Sequence, residues 1–204
     1  MTGDTDLAAI GALLAEPARA KVLLALADGR SLAASVLAVE AGVSPSTASH
    51  HLTRLAGAGL VQATARGRHR YYSLAGPRVA ELIEAVARVA PPQPVTSLRE
   101  GTRAHAVRYA RRCYDHLAGR LGVAVADALA ERRMLLAEIG VAECAGRDCL
   151  DWTEQRPHLA GPLGSALLAR FLELEWLAPA PRGRALCVTD AGREAFPAAG
   201  VHLP

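Results

Sequence analysis

The chain has 204 residues, of which 51% are apolar and only 4% aromatic, and a formal charge of +3. That length suits two units of roughly a hundred residues, each with a small core, and few aromatics beside abundant Ala favour close-packed helices over a large sandwich or barrel. So small a net charge does not mark a nucleic-acid binder by itself, and no apolar run approaches the roughly 20 residues of a membrane span.

Asp4 and Asp6 stand where a secretory signal carries positive charge, so a cytoplasmic protein is expected. Cys113, Cys144, Cys149 and Cys187 are then expected as reduced thiols. Apolar spacing predicts helices over 5–14 and 18–27, the second stopping at Asp28-Gly29. Ser31 suits the cap of a third helix, "LAASVLAVEAG", and Ser44 that of a fourth reaching about Ala56, with Pro45 at its first position. Residues 60–64 and 69–74 read as strands, joined by a turn in which Gly67 takes positive φ. Helical spacing returns over 77–90, and the "PPQP" run at Pro91 makes a stiff linker. The expected fold class is mainly α with small β-hairpin wings. A winged helix-turn-helix covers 1–90, a Pro-rich linker 91–101, and a second winged-helix-like unit 102–204.

In a helix-turn-helix the second helix enters the major groove, so it must present hydrogen-bonding side chains outward and apolar anchors inward. Ala48, Leu52 and Leu55 supply the inward side. Ser44, Ser46, Thr47, Ser49, His50, Thr53 and Arg54 are then expected to face double-stranded DNA, with Arg66, Arg68, His69 and Arg70 of the wing on the phosphate backbone. Lys21 is the only lysine, so nearly every cation is a guanidinium suited to bidentate contacts.

Three stretches, "EPARAKVLLALADG", "VSPSTASHHLTRLAGAGLV" and "GRHRYYSL", resemble the ArsR-type family of bacterial metalloregulatory and related repressors. The resemblance covers roughly residues 7–90. It implies a homodimer that binds an imperfect palindrome and lets go when an inducer binds, pairing through Leu7, Ile10, Leu14, Leu82, Ile83 and Val86. It also implies two metal sites that this sequence lacks. "LAASVLAVEAG" has no Cys or His, and the last helix of the unit offers only Glu81 and Glu84. No metal is therefore assigned from the sequence.

The C-terminal half repeats the wing without gaps: Ser165 falls under Ser49, Arg170 under Arg54, and Arg182-Gly183-Arg184 under Arg66-Gly67-Arg68. Ala166, Leu167 and Ala169 replace His50, His51 and Thr53, so a reading face is lost while a basic tip survives. That unit is expected to sense an effector or shape the dimer rather than to form a second DNA site. A long helix over 102–121 would gather His105, Tyr109, Cys113 and His116 on one flank. Cys144, Cys149, Trp152 and His158 crowd the turn-rich stretch that follows. The effector residues are taken as His105, Tyr109, Cys113, His116, Cys149, Trp152 and His158. Two readings stay open: a small-molecule pocket walled by Trp152, Tyr109 and Tyr114, or a thiol-reactive, redox or metalloid switch through Cys113, Cys144 and Cys149. No phosphate loop, nucleophile elbow or metalloprotease helix is present, and no enzyme is expected.

Overall fold

Asp6 opens the first helix by accepting from the Ala9 amide at 3.0 Å, and α1 runs Leu7–Leu14. The computed structural model describes residues 5–91, 94, 97–181 and 183–204; Asp4, linker residues 92, 93, 95 and 96, and Arg182 lie outside the described residues. The chain divides into two compact units, 1–83 and 84–204.

In the first unit α2 (Pro17–Leu26) places proline at its start, where the missing N–H costs nothing. The buried Arg19 guanidinium donates to the carbonyls of Leu13 at 2.7 Å and Ala12 at 2.9 Å, satisfying orphan acceptors at the end of α1. β1 (Leu32–Ala33) precedes α3 (Ala34–Ala41). Leu32 and Ala33, expected within a helix, instead pair with Tyr72 and Tyr71, because the wing strand offers its free edge to backbone groups there.

Ser44 caps α4 (Pro45–Gly57), accepting from the Thr47 amide at 3.2 Å. β2 (Val61–Arg66) and β3 (His69–Leu74) form the wing, with Arg66 opposite His69 across a two-residue turn. Their sheet has the order β1-β3-β2. Val22, Leu23, Leu26, Leu37, Leu52 and Leu55 are fully buried and join α2, α3 and α4. Helix α5 (Pro77–Val89) follows and crosses the division between Ile83 and Glu84.

The second unit repeats this scheme. After α6 (Leu98–Tyr109) come β4 (Arg111–Cys113), β5 (His116–Ala118), α7 (Arg120–Ala130), β6 (Arg147–Leu150) and β7 (Pro157–Ala160). Helix α8 (Gly161–Glu173), a wing of β8 (Leu177–Pro179) and β9 (Leu186–Val188), and α9 (Asp190–Ala198) complete it. Helices α4 and α8 are 13 residues each, and the wing strand begins four residues after the end of each, at Val61 and Leu177. As β1 meets β3, so Arg111 of β4 bridges Ala185 beside β9. Strands β5, β6 and β7 have no counterpart among the described residues of the first unit.

The expected helix over 102–121 is not formed: α6 stops at Tyr109 and the chain turns into the β4–β5 hairpin. Two features oppose a continuous helix. Gly119 sits at φ +82, where a Cβ would come within 2.7 Å of the Arg108 carbonyl, and the Arg111 guanidinium is drawn to buried carboxylates. The expected basic tip of the second wing is also revised, since Arg184 is buried and ion-paired with Glu84.

The second core centres on Phe171, which stacks on Trp176 at 5.6 Å between ring centroids and meets Phe196 edge-on at 5.0 Å. Phe171→Ala is expected to cost about 3–5 kcal/mol, the usual range for deleting a fully buried aromatic. Urea unfolding followed by circular dichroism measures it, and a cost below about 1 kcal/mol contradicts this packing.

Candidate functional site

The strand pairs β4–β5 and β6–β7 each deliver one cysteine and one histidine. In β4–β5 the turn Tyr114-Asp115 is so tight that Cys113 stands directly opposite His116. In β6–β7 the same relation joins Cys149 and His158. Side chains directly opposite across a ladder share one face, so both pairs are preformed by register. β5 packs on β7, bringing the pairs together. Small residues permit this closeness: a Cβ on Gly164 of α8 would stand 3.2 Å from the His116 Cβ, and one on Gly122 of α7 would stand 3.6 Å from the His158 Cβ.

The four potential ligand atoms of Cys113, His116, Cys149 and His158 all lie within 4.8 Å of one another. Three of the four residues are buried and Cys149 is half-buried. His116 Nδ1 lies 2.9 Å from Asp115 Oδ1, and His158 Nδ1 lies 3.4 Å from Asp151 Oδ2. Both Nε2 atoms are buried without a hydrogen-bond partner among the described residues. A carboxylate behind Nδ1 and a free Nε2 is how metal-binding histidines are held, and an unpaired buried nitrogen needs a partner of some kind. The donor set, two sulfurs and two imidazoles, suits a tetrahedral ion.

The electrostatics agree with that chemistry. The two sulfurs share a proton: the hydrogen bond to Cys149, then burial and the Glu84 charge, push the Cys113 thiol up. The hydrogen bond from Cys113 opposes burial and, with His116 and His158, holds Cys149 low, as a thiolate. Burial works against the His116 imidazolium, but the Cys149 sulfur and the Asp115 carboxylate outweigh it and raise its pKa.

Behind the cluster lies a buried ion network. Asp151 Oδ2 accepts from Arg111 Nη2 at 2.9 Å and from the Gly119 amide at 2.7 Å. Its Oδ1 accepts from the Thr153 amide and hydroxyl at 2.8 and 2.7 Å, and from the Glu154 amide at 3.2 Å. Arg111 Nη2 also faces Glu84 Oε2 at 3.8 Å, and Glu84 Oε1 takes Arg184 Nη1 at 2.5 Å. Burial pushes the Asp151 carboxyl up, but the Arg111 charge and the Thr153 and Gly119 donors outweigh it and hold the group at about 2.

Of the expected effector residues, Cys113, His116, Cys149 and His158 converge. His105 lies exposed on α6, outside the cluster. The Tyr109 ring is covered by Arg120 at 5.5 Å, and Trp152 by Arg111 at 5.0 Å and Arg184 at 5.9 Å, so these aromatics contact guanidinium groups. Cys144 and Cys187 are exposed and apart from the cluster. Asp115, Asp151, Arg111 and Glu84 escape sequence reasoning because a lone charged residue carries no spacing signal. The twin pairs 113/116 and 149/158 were the available clue.

The other candidate surface is the face of α4. Ser44, Ser46, Thr47, Ser49, His50, Thr53 and Arg54 are exposed, whereas Ala48, His51, Leu52 and Leu55 are buried. On the wing Arg66, Arg68, His69 and Arg70 are exposed, with Arg66 lying 5.7 Å over the Tyr71 ring.

A helix-turn-helix domain family matches residues 14–62. The uncharacterized HTH-type transcriptional regulator YdfF of Bacillus subtilis is 40% identical over 215 aligned positions, covering 94% of this chain and 95% of its own length. The HTH-type transcriptional regulator CmtR of Mycobacterium tuberculosis is 39% identical over 100 residues, which is 47% of this chain and 84% of its own. The NMR structure of the cadmium metal-sensor CmtR from that organism covers 46% of this chain and all of its own, at 36% identity and a TM-score of 0.34.

A depressed carboxyl stabilises the fold above its unfolded pKa, near 4, and that contribution is lost as pH falls through the folded value of about 2. The metal-free protein is therefore expected to lose stability between about pH 4 and pH 2. Urea midpoints across that range should show a shallower loss in Asp151→Asn; an unchanged pH slope contradicts the assignment.

Proposed function

Because the chain belongs to the ArsR-type winged helix-turn-helix family of transcriptional regulators, we propose that it is a homodimeric, DNA-binding repressor whose hold on its operator responds to a metal ion. The observation that carries the metal response is the meeting of four ligand atoms from two hairpins in the second unit.

DNA binding rests on the first unit. The short hydroxyls at the start of α4 let the backbone approach base edges, and the Ser44 cap leaves the helix N-terminus facing outward for a phosphate. Arg54 and the wing arginines supply the salt-dependent part of affinity. The apolar residues left uncovered on α1 and on α5 are the candidates for pairing with a second copy. Leu7 is 78% exposed and Val86 38%, while Ile10, Leu14 and Leu82 are partly covered. Ile83 is already 5% exposed in one chain and belongs to its core. Two reading helices then meet half-sites about one helical turn apart.

Cys113 Sγ, His116 Nε2, Cys149 Sγ and His158 Nε2 are the ligands. Two thiolates and two neutral imidazoles carry a charge of −2, so a divalent ion leaves the site neutral. A monovalent ion would leave one negative charge and a trivalent ion one positive charge in a buried place, which is costly. Sulfur with imidazole excludes magnesium and calcium, which prefer oxygen. A zinc- or cadmium-like ion fits, and with all four positions filled by protein the site has no open position for catalysis. Capture of trivalent arsenic by three thiols is disfavoured, because only two of the expected cysteines converge. The covered faces of Trp152 likewise disfavour the organic-effector pocket.

Competition with a chromophoric chelator is expected to show one Zn2+ per protomer. Cys149→Ser or His158→Ala should weaken it by at least about 100-fold, at or beyond the loss ordinarily seen on disturbing a ligand's supports. Failure of the wild type to bind Zn2+ would falsify the metal-responsive reading.

For DNA, a duplex selected from a random library by the metal-free protein is the probe. Arg68→Ala and Arg70→Ala should weaken binding to all sequences and flatten the log-affinity against log-salt slope by about 1 for each phosphate that is no longer neutralised. An unaltered slope removes these residues from the interface.

A further inference from the structure

The buried ion network behind the Cys/His cluster is left one step short of satisfied. His158 Nδ1, Arg111 Nε and Glu84 Oε2 are all buried without a hydrogen-bond partner among the described residues. They belong to neighbours in a single line of groups: His158, then Asp151 at 3.4 Å, Arg111 at 2.9 Å, and Glu84 at 3.8 Å. The two long separations flank the short one. A small shift of Arg111 from Asp151 towards Glu84 would exchange them.

We propose that His158, Asp151, Arg111 and Glu84 form a relay with two positions, through which occupancy of the Cys/His cluster changes how α5 is held. The proposal rests on the metal-responsive reading above. In the arrangement seen, Asp151 Oδ2 is committed to Arg111 and to the Gly119 amide, and His158 Nδ1 is left at the margin of hydrogen-bond reach. When His158 Nε2 is engaged by a cation, its ring is polarised and Nδ1–H becomes a stronger donor to the carboxylate behind it. Asp151 then binds His158 more closely and its pull on Arg111 weakens. Arg111 closes on the unpaired Glu84 Oε2, whose other oxygen already accepts from Arg184.

Glu84 lies on α5, the helix that follows wing strand β3 and contributes Pro77 to Ile83 to the first unit. A change in the grip on Glu84 is therefore a change in the grip on a helix whose other half belongs to the DNA-binding unit. Both arrangements use the same buried charges, so neither strands one of them, and this makes two discrete states accessible. Trp152 lies against both guanidinium groups, 5.0 Å from Arg111 and 5.9 Å from Arg184, and its emission should register the exchange. Asp151 and Glu84 act here as positioning residues.

The test uses the full-length protein, Zn2+ as the ion and the library-selected duplex. In the wild type, saturating Zn2+ should weaken DNA binding by about 5- to 150-fold, the usual span of allosteric coupling. Glu84→Gln should keep the Zn2+ affinity and the Co2+ absorption spectrum of the wild type and hold metal-free DNA affinity within about threefold, yet respond to Zn2+ by less than about threefold. Asp151→Asn should bind Zn2+ about 10- to 100-fold more weakly and, once saturated, should also fail to weaken DNA binding. In a Trp176→Phe background, which leaves Trp152 as the single indole, Zn2+ should change the emission, and adding Glu84→Gln should abolish that change. A full Zn2+ response in both variants overturns the relay while leaving the metal-responsive reading intact. A wild type that binds no Zn2+, or binds it with no effect on DNA, overturns both. Should Glu84→Gln not fold, Asp151→Asn at saturation decides alone.

Discussion

The pairing of Arg111 with Asp151, both without solvent-exposed side-chain surface, is the interaction on which the second unit turns. Removing two charges from water costs several kcal/mol for each, and attraction between them repays it only when their remaining hydrogen-bonding positions are filled. Asp151 meets that condition by accepting from Gly119, Thr153 and Glu154 as well. One carboxylate thereby joins β4, the entry to α7 and the loop between β6 and β7. Such a pair contributes little net stability beside an apolar substitute, but it admits few alternative arrangements. Here it holds two short hairpins, each too small to be stable alone, with their Cys/His faces turned towards each other.

The two units show one scaffold put to two uses. Both run helix, strand, two helices and a wing, and the helices α4 and α8 have equal lengths. In the first unit α4 buries only Ala48, His51, Leu52 and Leu55 and leaves a polar face to solvent. In the second, α8 buries Gly164, Leu167, Leu168 and Phe171, and Ser165 donates to Asp115 beside the cluster. Strands β5, β6 and β7 carry three of the four cluster residues, and β4, which has a counterpart in the first unit, carries Cys113. The candidate site of this half is thus carried mostly by strands that the first unit lacks among its described residues.

The Cys/His cluster has the supporting arrangement that makes histidine a good ligand. Each imidazole has a carboxylate behind Nδ1, and each Nε2 is unpaired. The two supports differ in kind. Asp115 sits in an exposed turn beside its own histidine, whereas Asp151 is fully buried and shared with Arg111. Asp115 also accepts from Ser165 of α8, whereas Asp151 continues through Arg111 to Glu84. The bulk charge of +3 concealed this, because the buried carboxylates of Asp151 and Glu84 are balanced by the guanidinium groups of Arg111 and Arg184.

Local pattern was enough to identify the elements of the first unit. Ser44-Pro45, the apolar spacing of Ala48, Leu52 and Leu55, and the Arg66-Gly67-Arg68 turn each act over a few residues, so their consequences are readable in order along the chain. The gapless repeat of that pattern around Ser165 likewise revealed the second wing. The same local reasoning failed between 102 and 121, where helical spacing was present but a buried guanidinium and a left-handed glycine imposed a hairpin. Cys113 and His116 were grouped correctly for the wrong reason, since positions three apart are neighbours on a helix and also face each other across a two-residue turn. Nothing local linked them to Cys149 and His158, or Asp151 to Arg111 40 residues away. The chain's local chemistry determined the helices, the wings and the exposed face of α4; tertiary packing alone chose which polar groups would be buried together, because desolvation and charge pairing depend on partners that sequence order does not bring near.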